Sequence, residues 1–377
     1  MKVQLLFDSI DHMNGLARYT QSICQQLNAA KVDCELVEPN QPFLVNAADR
    51  ILLPMGFDVN KLVTTNPVAE KIEKGYVYHL IDQQMATLLE FMPDMHPTVV
   101  SVHDYREKKE PIQSTSHPSL DTWFNRRAVD GLKRADALIC DTNYTKRIVF
   151  ESLDYQDDRI FVIPPGVDHE NFYSRKINMD FIERYGLDDQ TRYVLFVVSE
   201  NSRKNLPHLM GAFSNLLASI PTLKLILIGS TDNTPQEKQI EDEVKKLNLS
   251  EDVIYIDHVS DGDIANFYNL AEVFVFTSIP FGNSYSPLEA MACGTPIVCS
   301  NDAQVSELVG EAAIVVNPLN ADAIAGGLYR VLADSDQEKD LRSRGLKHAK
   351  QFTWERSARE TIKVYEYVLG RKIGKSQ

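Results

Sequence analysis

The stretch SPLEAMACGTPIVCS, residues 286–300, decides the fold. Ser286, Pro287 and Glu289 have the spacing of a helix N-terminus: Ser at the cap, Pro at the first helical position, Glu three residues past the cap. Gly294 ends that helix after barely two turns, and PIVCS reads as the buried strand that follows. Upstream, VFVFTS (273–278) is a second apolar strand. The alternation then extends both ways. YVLFVVS (193–199), LKLILIG (223–229), DVIYI (252–256) and AAIVV (312–316) are further strands, separated by helices near 206–218, 237–247 and 263–270. Four helical stretches are expected after the last strand, ending in WERSARETIKVYEYVLG (354–370). Short apolar strands alternating with helices predict a parallel sheet with helices on both faces.

The first half repeats the plan more roughly. KVQLLFD, DCELVEP, RILLPMG, TVVSVHD, ADALICDT and RIFVIPPG read as strands, and GLARYTQSICQQLNAA (15–30) as a helix. The apolar rhythm lapses in PPGVDHENFYSRKIN (164–178), the best linker candidate. At 377 residues the chain exceeds the roughly 250–300 at which one core stops growing, so two domains are expected. Open parallel sheets bind ligands beyond the carboxyl ends of their strands, and two of them facing each other would form a deep cleft.

Composition narrows the class. An apolar share of 44% with 24% charged residues is that of a soluble globular protein. The net charge of −14 is shared between the two halves and excludes the basic face of a duplex nucleic-acid binder. Five cysteines at irregular spacings make neither a disulfide framework nor a zinc site. The opening MKVQLLFDSIDHMNG does not read as a signal peptide, and no apolar run reaches the roughly 20 residues of a membrane span. A cytoplasmic enzyme is expected. Two locally basic segments, Arg106–Lys109 and Arg126–Arg134, raise a weak peripheral contact with an anionic membrane as a secondary expectation.

The candidate chemistry lies at strand ends. The helix opening at Ser286 follows VFVFTS across the loop IPFGNSY, so its N-terminus lies on the ligand side, where the helix dipole favours an anion. Arg203 and Lys204, in SENSRKN after YVLFVV, lie at another strand's carboxyl end and suit a phosphate or diphosphate. His103 and Asp104 end TVVSVHD on the same side of the first-half sheet, where they read equally well as turn formers. Gly15, between the first strand and first helix, permits close backbone approach to a ligand. SDGD (260–263) resembles an acidic metal motif, but Ser and Asp three apart at a helix start favour capping.

In this order and separation, VIPPGVDHENFY, RKNLPHLMGAF and PLEAMACGTPIV resemble the retaining glycosyltransferases of family 4. VVSVHDY and NGLARYTQSICQQL are similar to that family's N-terminal pattern, and FTWERSARETIKVYEYVL to its last helix. The resemblance implies an α/β GT-B fold of two Rossmann-like domains facing across a deep cleft. The acceptor domain would span residues 1–170, the donor domain 171–355, and residues 356–377 would form a helix crossing back to the first. It also implies hexose transfer from a UDP- or GDP-linked sugar to a glycan, glycolipid or small-molecule acceptor, with the anomeric configuration kept and neither metal nor cofactor. Arg203 and Lys204 would hold the diphosphate and stabilise its developing charge. Glu289 would accept hydrogen bonds from the ribose, His103 would lie near the transferred sugar, Gly15 near phosphate and acceptor, and the backbone at Val259 beside the base.

One departure matters. The family pattern has two glutamates separated by seven residues, the first contacting the donor sugar. Phe281 stands eight positions before Glu289, and a two-residue insertion would put Ile279 there instead. Asn283, Ser284 or Tyr285 would then reach the sugar hydroxyls. Ser199 likewise replaces a family arginine. Phe281 motivates an alternative, a non-catalytic glycosyltransferase-like subunit that binds a partner enzyme or a nucleotide. A sugar-nucleotide epimerase of similar build is a distant third.

Overall fold

The computed structural model describes residues 1–7, 15–37, 75–90, 92, 96–103, 105, 118–153, 155–197, 205–229, 235–257, 259–277 and 285–375. Two compact units divide the chain. Unit 1 joins Met1–Gly166 to Trp354–Gln377, and unit 2 is Val167–Thr353.

Unit 1 holds β1 (Lys2–Leu6), α1 (Gly15–Ala29), β2 (Asp33–Val37), β3 (Tyr76–Leu80), β4 (Thr98–Val102), α2 (Pro118–Arg134), β5 (Ala137–Cys140), α3 (Asn143–Leu153) and β6 (Ile160–Val162). The strands form a six-stranded parallel sheet in the order β2-β1-β3-β4-β5-β6. Its central strand β3 is missing from the sequence reading. YVYHL carries two tyrosines and a histidine, which mask the apolar signal, yet all five residues are buried. The RILLPMG strand lies outside the described residues.

Unit 2 holds α4 (Met179–Arg184), β7 (Arg192–Val197), α5 (Leu206–Leu217), β8 (Leu223–Ile228), α6 (Pro235–Lys246), β9 (Val253–Ile256), α7 (Asp261–Leu270), β10 (Val273–Phe276), α8 (Ser286–Cys293), β11 (Ile297–Ser300), α9 (Ala303–Val309), β12 (Ile314–Val316), α10 (Ala321–Ala333) and α11 (Ser335–Ala349). Its sheet runs β12-β11-β10-β7-β8-β9, all parallel. Alternate residues of each strand feed opposite cores, as period-2 geometry requires. Leu195, Phe274, Phe276 and Ile297 join one core, while Val194, Phe196, Val273 and Val298 join the other. Counted from β7 this is the doubly wound order 3-2-1-4-5-6 read from the β9 edge, and its connections reverse between β7 and β10. Such a switch point opens the crevice where ligands bind.

One expectation needs correction. Among the described residues three helices, not four, follow β12: α10, α11 and α12 (Trp354–Lys375). The boundary between the units, after Gly166, falls inside the stretch 164–178, whose Val167 and Phe172 are buried in the unit 2 core. The stretch's lapse in apolar rhythm reflects irregular backbone, tied by the bonds of Asn171 N–H and Phe172 N–H to Asp168 O. Helix α12 packs against α1 in unit 1, where Ser357 Oγ donates to Pro164 O at 2.7 Å and Trp354 meets Tyr19 edge-on at 5.5 Å.

Candidate functional site

In unit 2, chain order places Arg203 and Lys204 between β7 and α5, and Asn283 and Ser284 between β10 and α8. Those four residues, with Phe281 and Ile279, lie outside the described residues. The two connections leave the carboxyl ends of β7 and β10, the pair of strands that flank the switch point. In chain order SENSRKN and SPLEAM thus follow the two strands that flank the switch point.

Helix α8 begins one residue earlier than the capping-box reading requires. Tyr285 occupies the N-cap position at φ −75°, ψ −23°, with no side-chain cap, and Glu289 N–H donates to Tyr285 O at 3.0 Å. Ser286 is therefore the first helical residue and Glu289 the fourth, past the position from which a capping-box carboxylate reaches back. Glu289 instead turns inward. Its residue is 4% exposed, and its Oε2 accepts from Tyr268 Oη at 3.3 Å. Tyr268 comes from α7, and its backbone carbonyl accepts from Thr295 Oγ1 at 2.5 Å. Gly294 closes α8 as expected, at φ 80° in the left-handed region that glycine adopts without strain. Val259 lies half-buried between β9 and α7. The SDGD reading holds: Ser260 caps α7, its Oγ accepting from Asp263 N–H at 3.2 Å. Among the described residues, no group of three or more His, Cys, Asp or Glu side chains could hold a metal.

In unit 1, Gly15 is the first residue of α1, and His103 follows β4. His103 Nδ1 lies 2.7 Å from Asp141 Oδ2, and its Nε2 lies 2.9 Å from the Ile81 carbonyl oxygen. A carboxylate and a carbonyl can only accept, so both ring nitrogens donate and the ring is an imidazolium. Burial opposes that charge, but Asp141, Asp82 and the Ile81 carbonyl outweigh it and push the pKa up to about 9. Gln83 Oε1 fixes the backbone by accepting from His103 N–H at 3.0 Å, and Tyr19 meets the ring edge-on at 4.9 Å.

Beside it lies a second histidine of opposite character. His79, on β3, is fully buried, with Nδ1 2.8 Å from Tyr365 Oη and Nε2 2.8 Å from Ser101 Oγ. Hydroxyls can donate or accept, so one neutral tautomer satisfies both partners. Burial, and then the positive charge of His103, hold its pKa down at about 3. Ser101 Oγ also lies 3.4 Å from Tyr19 Oη. A polar chain therefore runs from Tyr365 on α12 through His79 and Ser101 to Tyr19, which packs on His103.

The sequence reading names His103 but misses Asp141, His79, Tyr365 and Tyr268. Asp141 ends the strand ALIC as His103 ends TVVSV, so the same strand-end signal would have found it. Of the basic segments, 106–109 lies outside the described residues. In the other, Arg127 pairs with Glu90 at 2.6 Å, and Lys133 and Arg134 occupy the last turn of α2, where a helix dipole favours cations. No helix among the described residues is long and apolar enough to cross a membrane.

Residues 13–171 match Glycosyltransferase Family 4, and residues 179–348 match Glycosyl transferases group 1. The chain is 27% identical over 295 residues to O-antigen chain mannosyltransferase B of Escherichia coli, covering 77% of this chain and 72% of that protein. It is 25% identical over 276 residues to the serotype-specific mannosyltransferase WbdA of Escherichia coli, covering 72% of this chain but 34% of that relative. The match thus spans about a third of WbdA. Among solved structures, sucrose-phosphate synthase from Thermosynechococcus elongatus superposes with a TM-score of 0.75 at 20% identity, covering 98% of this chain and 99% of that one. HepE from Anabaena, in complex with UDP and glucose, gives 0.77 at 16% identity, covering 97% and 100%. These likenesses show the fold, two Rossmann-like domains of GT-B type. With both family descriptions matched in tandem, from residue 13 to residue 348, this chain belongs to the family 4, group 1 glycosyltransferases.

Proposed function

We propose that this protein transfers a mannosyl residue from a nucleotide-diphosphate sugar to a growing glycan, keeping the anomeric configuration and needing no metal. The sugar and the acceptor follow the mannosyltransferases among its relatives, one of them acting on an O-antigen chain. The observation that carries the reading is Glu289, a buried carboxylate in the first turns of the helix that follows β10, at the switch point.

In this reading the nucleotide lies across the carboxyl ends of β7 and β10. Glu289 accepts from the two ribose hydroxyls, and the backbone near Val259 borders the base. Arg203 and Lys204 take the diphosphate, and their charge does most when the leaving group gains its full negative charge. Asn283, Ser284 and Tyr285 meet the sugar hydroxyls in place of a carboxylate at Phe281. His103 acts through charge: with both N–H groups committed to Asp141 and Ile81, it supplies a fixed positive potential and not a donor to the sugar. A peripheral membrane contact would bring a lipid-linked acceptor within reach.

Calorimetric titration with GDP, UDP and ADP tests donor binding, and the preferred nucleotide then identifies the sugar donor for transfer assays with excess EDTA. Tight binding of GDP and turnover of GDP-mannose are expected, with activity unchanged by EDTA and an equatorial anomeric proton in the product. Loss of activity restored by Mg²⁺ or Mn²⁺ would overturn the metal-free mechanism. Nucleotide binding without turnover of any donor would favour the non-catalytic subunit that Phe281 suggests.

A further inference from the structure

Five cysteines are free and buried, and two of them meet. Cys24 lies on α1 and Cys34 on the edge strand β2, in unit 1. Cys34 Sγ donates to Cys24 Sγ at 2.8 Å. The approach is built by a third side chain. Asn28, one turn after Cys24, donates from Nδ2 to Cys34 O at 3.1 Å and accepts at Oδ1 from Cys34 N–H at 3.0 Å. This amide clamp holds the backbone of Cys34 to the helix, and Asn28 Nδ2 also lies 3.7 Å from Cys24 Sγ. Neither residue is fully enclosed: Cys24 is 7% and Cys34 8% exposed, against 0% for Cys140, Cys293 and Cys299.

We propose that Cys24 and Cys34 form a peroxide-driven disulfide that staples the C-terminal half of α1 to the edge of the sheet. The two thiols have divided roles. The Cys34 hydrogen bond lowers the Cys24 pKa and outweighs burial, so Cys24 is the more readily ionised of the two. The same bond, followed by burial, raises that of Cys34. In the first step the Cys24 thiolate attacks one peroxide oxygen. An S–O bond forms, the O–O bond breaks, and the departing hydroxide takes the proton of Cys34 to leave as water. In the second step the Cys34 thiolate attacks Cys24 sulfur, an S–S bond forms, and the sulfenic hydroxyl leaves, taking a proton from solvent to become the second water. Two sulfurs together lose two electrons, and one peroxide is reduced. Burial raises the remaining cysteines, to about 12 for Cys293 and Cys299, so their thiolates are scarce and they serve as internal controls. This inference is independent of the glycosyl-transfer reading.

The main test uses the full, unsubstituted chain. The protein is treated with a few equivalents of hydrogen peroxide, unfolded, alkylated and digested with trypsin without reduction. Cleavage after Arg18, Lys31 and Arg50 releases peptides 19–31 and 32–50. The expected product is these two peptides joined, about 2 Da lighter than their sum, with the other three cysteines alkylated and dithiothreitol restoring both thiols. The apparent melting temperature of the oxidised protein should rise by about 5 °C. A Cys34→Ser variant should accumulate a Cys24 sulfenic acid that dimedone traps. The inference is overturned if the peptides separate with both thiols alkylated, carry sulfinic acid, or join only between chains.

Discussion

Replacing Asp141 by Asn removes the counter-charge of a buried imidazolium and keeps the shape of the side chain. In the wild type the His103 pKa rises from 6.5 to about 9, and at about 1.4 kcal/mol per tenfold change in proton affinity this amounts to roughly 3 kcal/mol favouring the charged ring in the folded state. A raised folded-state pKa means that the stabilisation is complete below pH 6.5 and is lost as pH rises through 9. Unfolding free energy from urea titration should therefore fall by about 3 kcal/mol between pH 6 and pH 9.5 because of this group. Asp141→Asn leaves burial opposed only by Asp82 and the Ile81 carbonyl, so the ring gives up its proton at lower pH than in the wild type and the variant is less stable at pH 6. The difference between the two proteins should shrink towards zero by pH 9.5, and taking that difference cancels other groups that titrate in the window. Imidazole carbon shifts in NMR report the protonation state directly. Equal pH dependence in the two proteins, or a neutral His103 at pH 7 in the wild type, would refute the ion-pair geometry and with it the fixed-charge role.

Other substitutions test the second unit and its packing. Glu289→Gln keeps an acceptor for Tyr268 but loses the charge, so donor affinity measured by calorimetry should fall by about three- to thirtyfold while the ligand-free melting temperature barely moves. Unchanged donor binding would return Glu289 to the helix. Lys204→Ala should lower transfer by about a hundredfold, the scale for removing one stabiliser of transition-state charge. Kinetics within a factor of three of wild type would remove its assignment to the diphosphate. Gly131→Ala should destabilise unit 1 by at least about 2 kcal/mol in denaturant titration, because the added Cβ would clash with the Ala86 carbonyl oxygen and backbone must move to admit it.

Legibility in the sequence followed the strength of the local signal. Strands β7, β8, β10 and β11 carry the apolar runs VLFV, LILI, VFVF and IVC, as strands buried on both faces require, and the sequence reading finds them. Strand β3 is equally buried, but Tyr76, Tyr78 and His79 disguise it; the Tyr76 hydroxyl and the His79 ring are satisfied by Glu35, Ser101 and Tyr365, all remote in sequence. The bond of His79 to Tyr365 spans 286 positions, and no spacing rule reaches that far. The cap of α7 is legible because Ser260 and Asp263 interact across three residues. At α8 the same local rule fails by one position, because Tyr285 already has helical dihedrals and leaves Ser286 inside the helix.

That one-residue shift changes the argument about Glu289. A capping carboxylate supplies a bond that the helix lacks, and its presence would need no further cause. Four residues in, Glu289 has its own N–H bonded to Tyr285 and lies in the interior, where Leu288, Ala290 and Met291 on either side are fully buried. Packing alone would be served better there by an apolar side chain, because an ionised group taken from water costs several kcal/mol before its partners are counted. The Tyr268 hydroxyl is one of the partners that offset that cost, and the dipole of α8, strongest within its first turn or so, adds a little. Two ribose hydroxyls offered by a nucleotide at the β7/β10 switch point would donate to the same carboxylate and repay the desolvation on binding. A carboxylate that stabilises the complex more than the empty fold is what a donor-binding residue requires, and Glu289→Gln measures that difference directly.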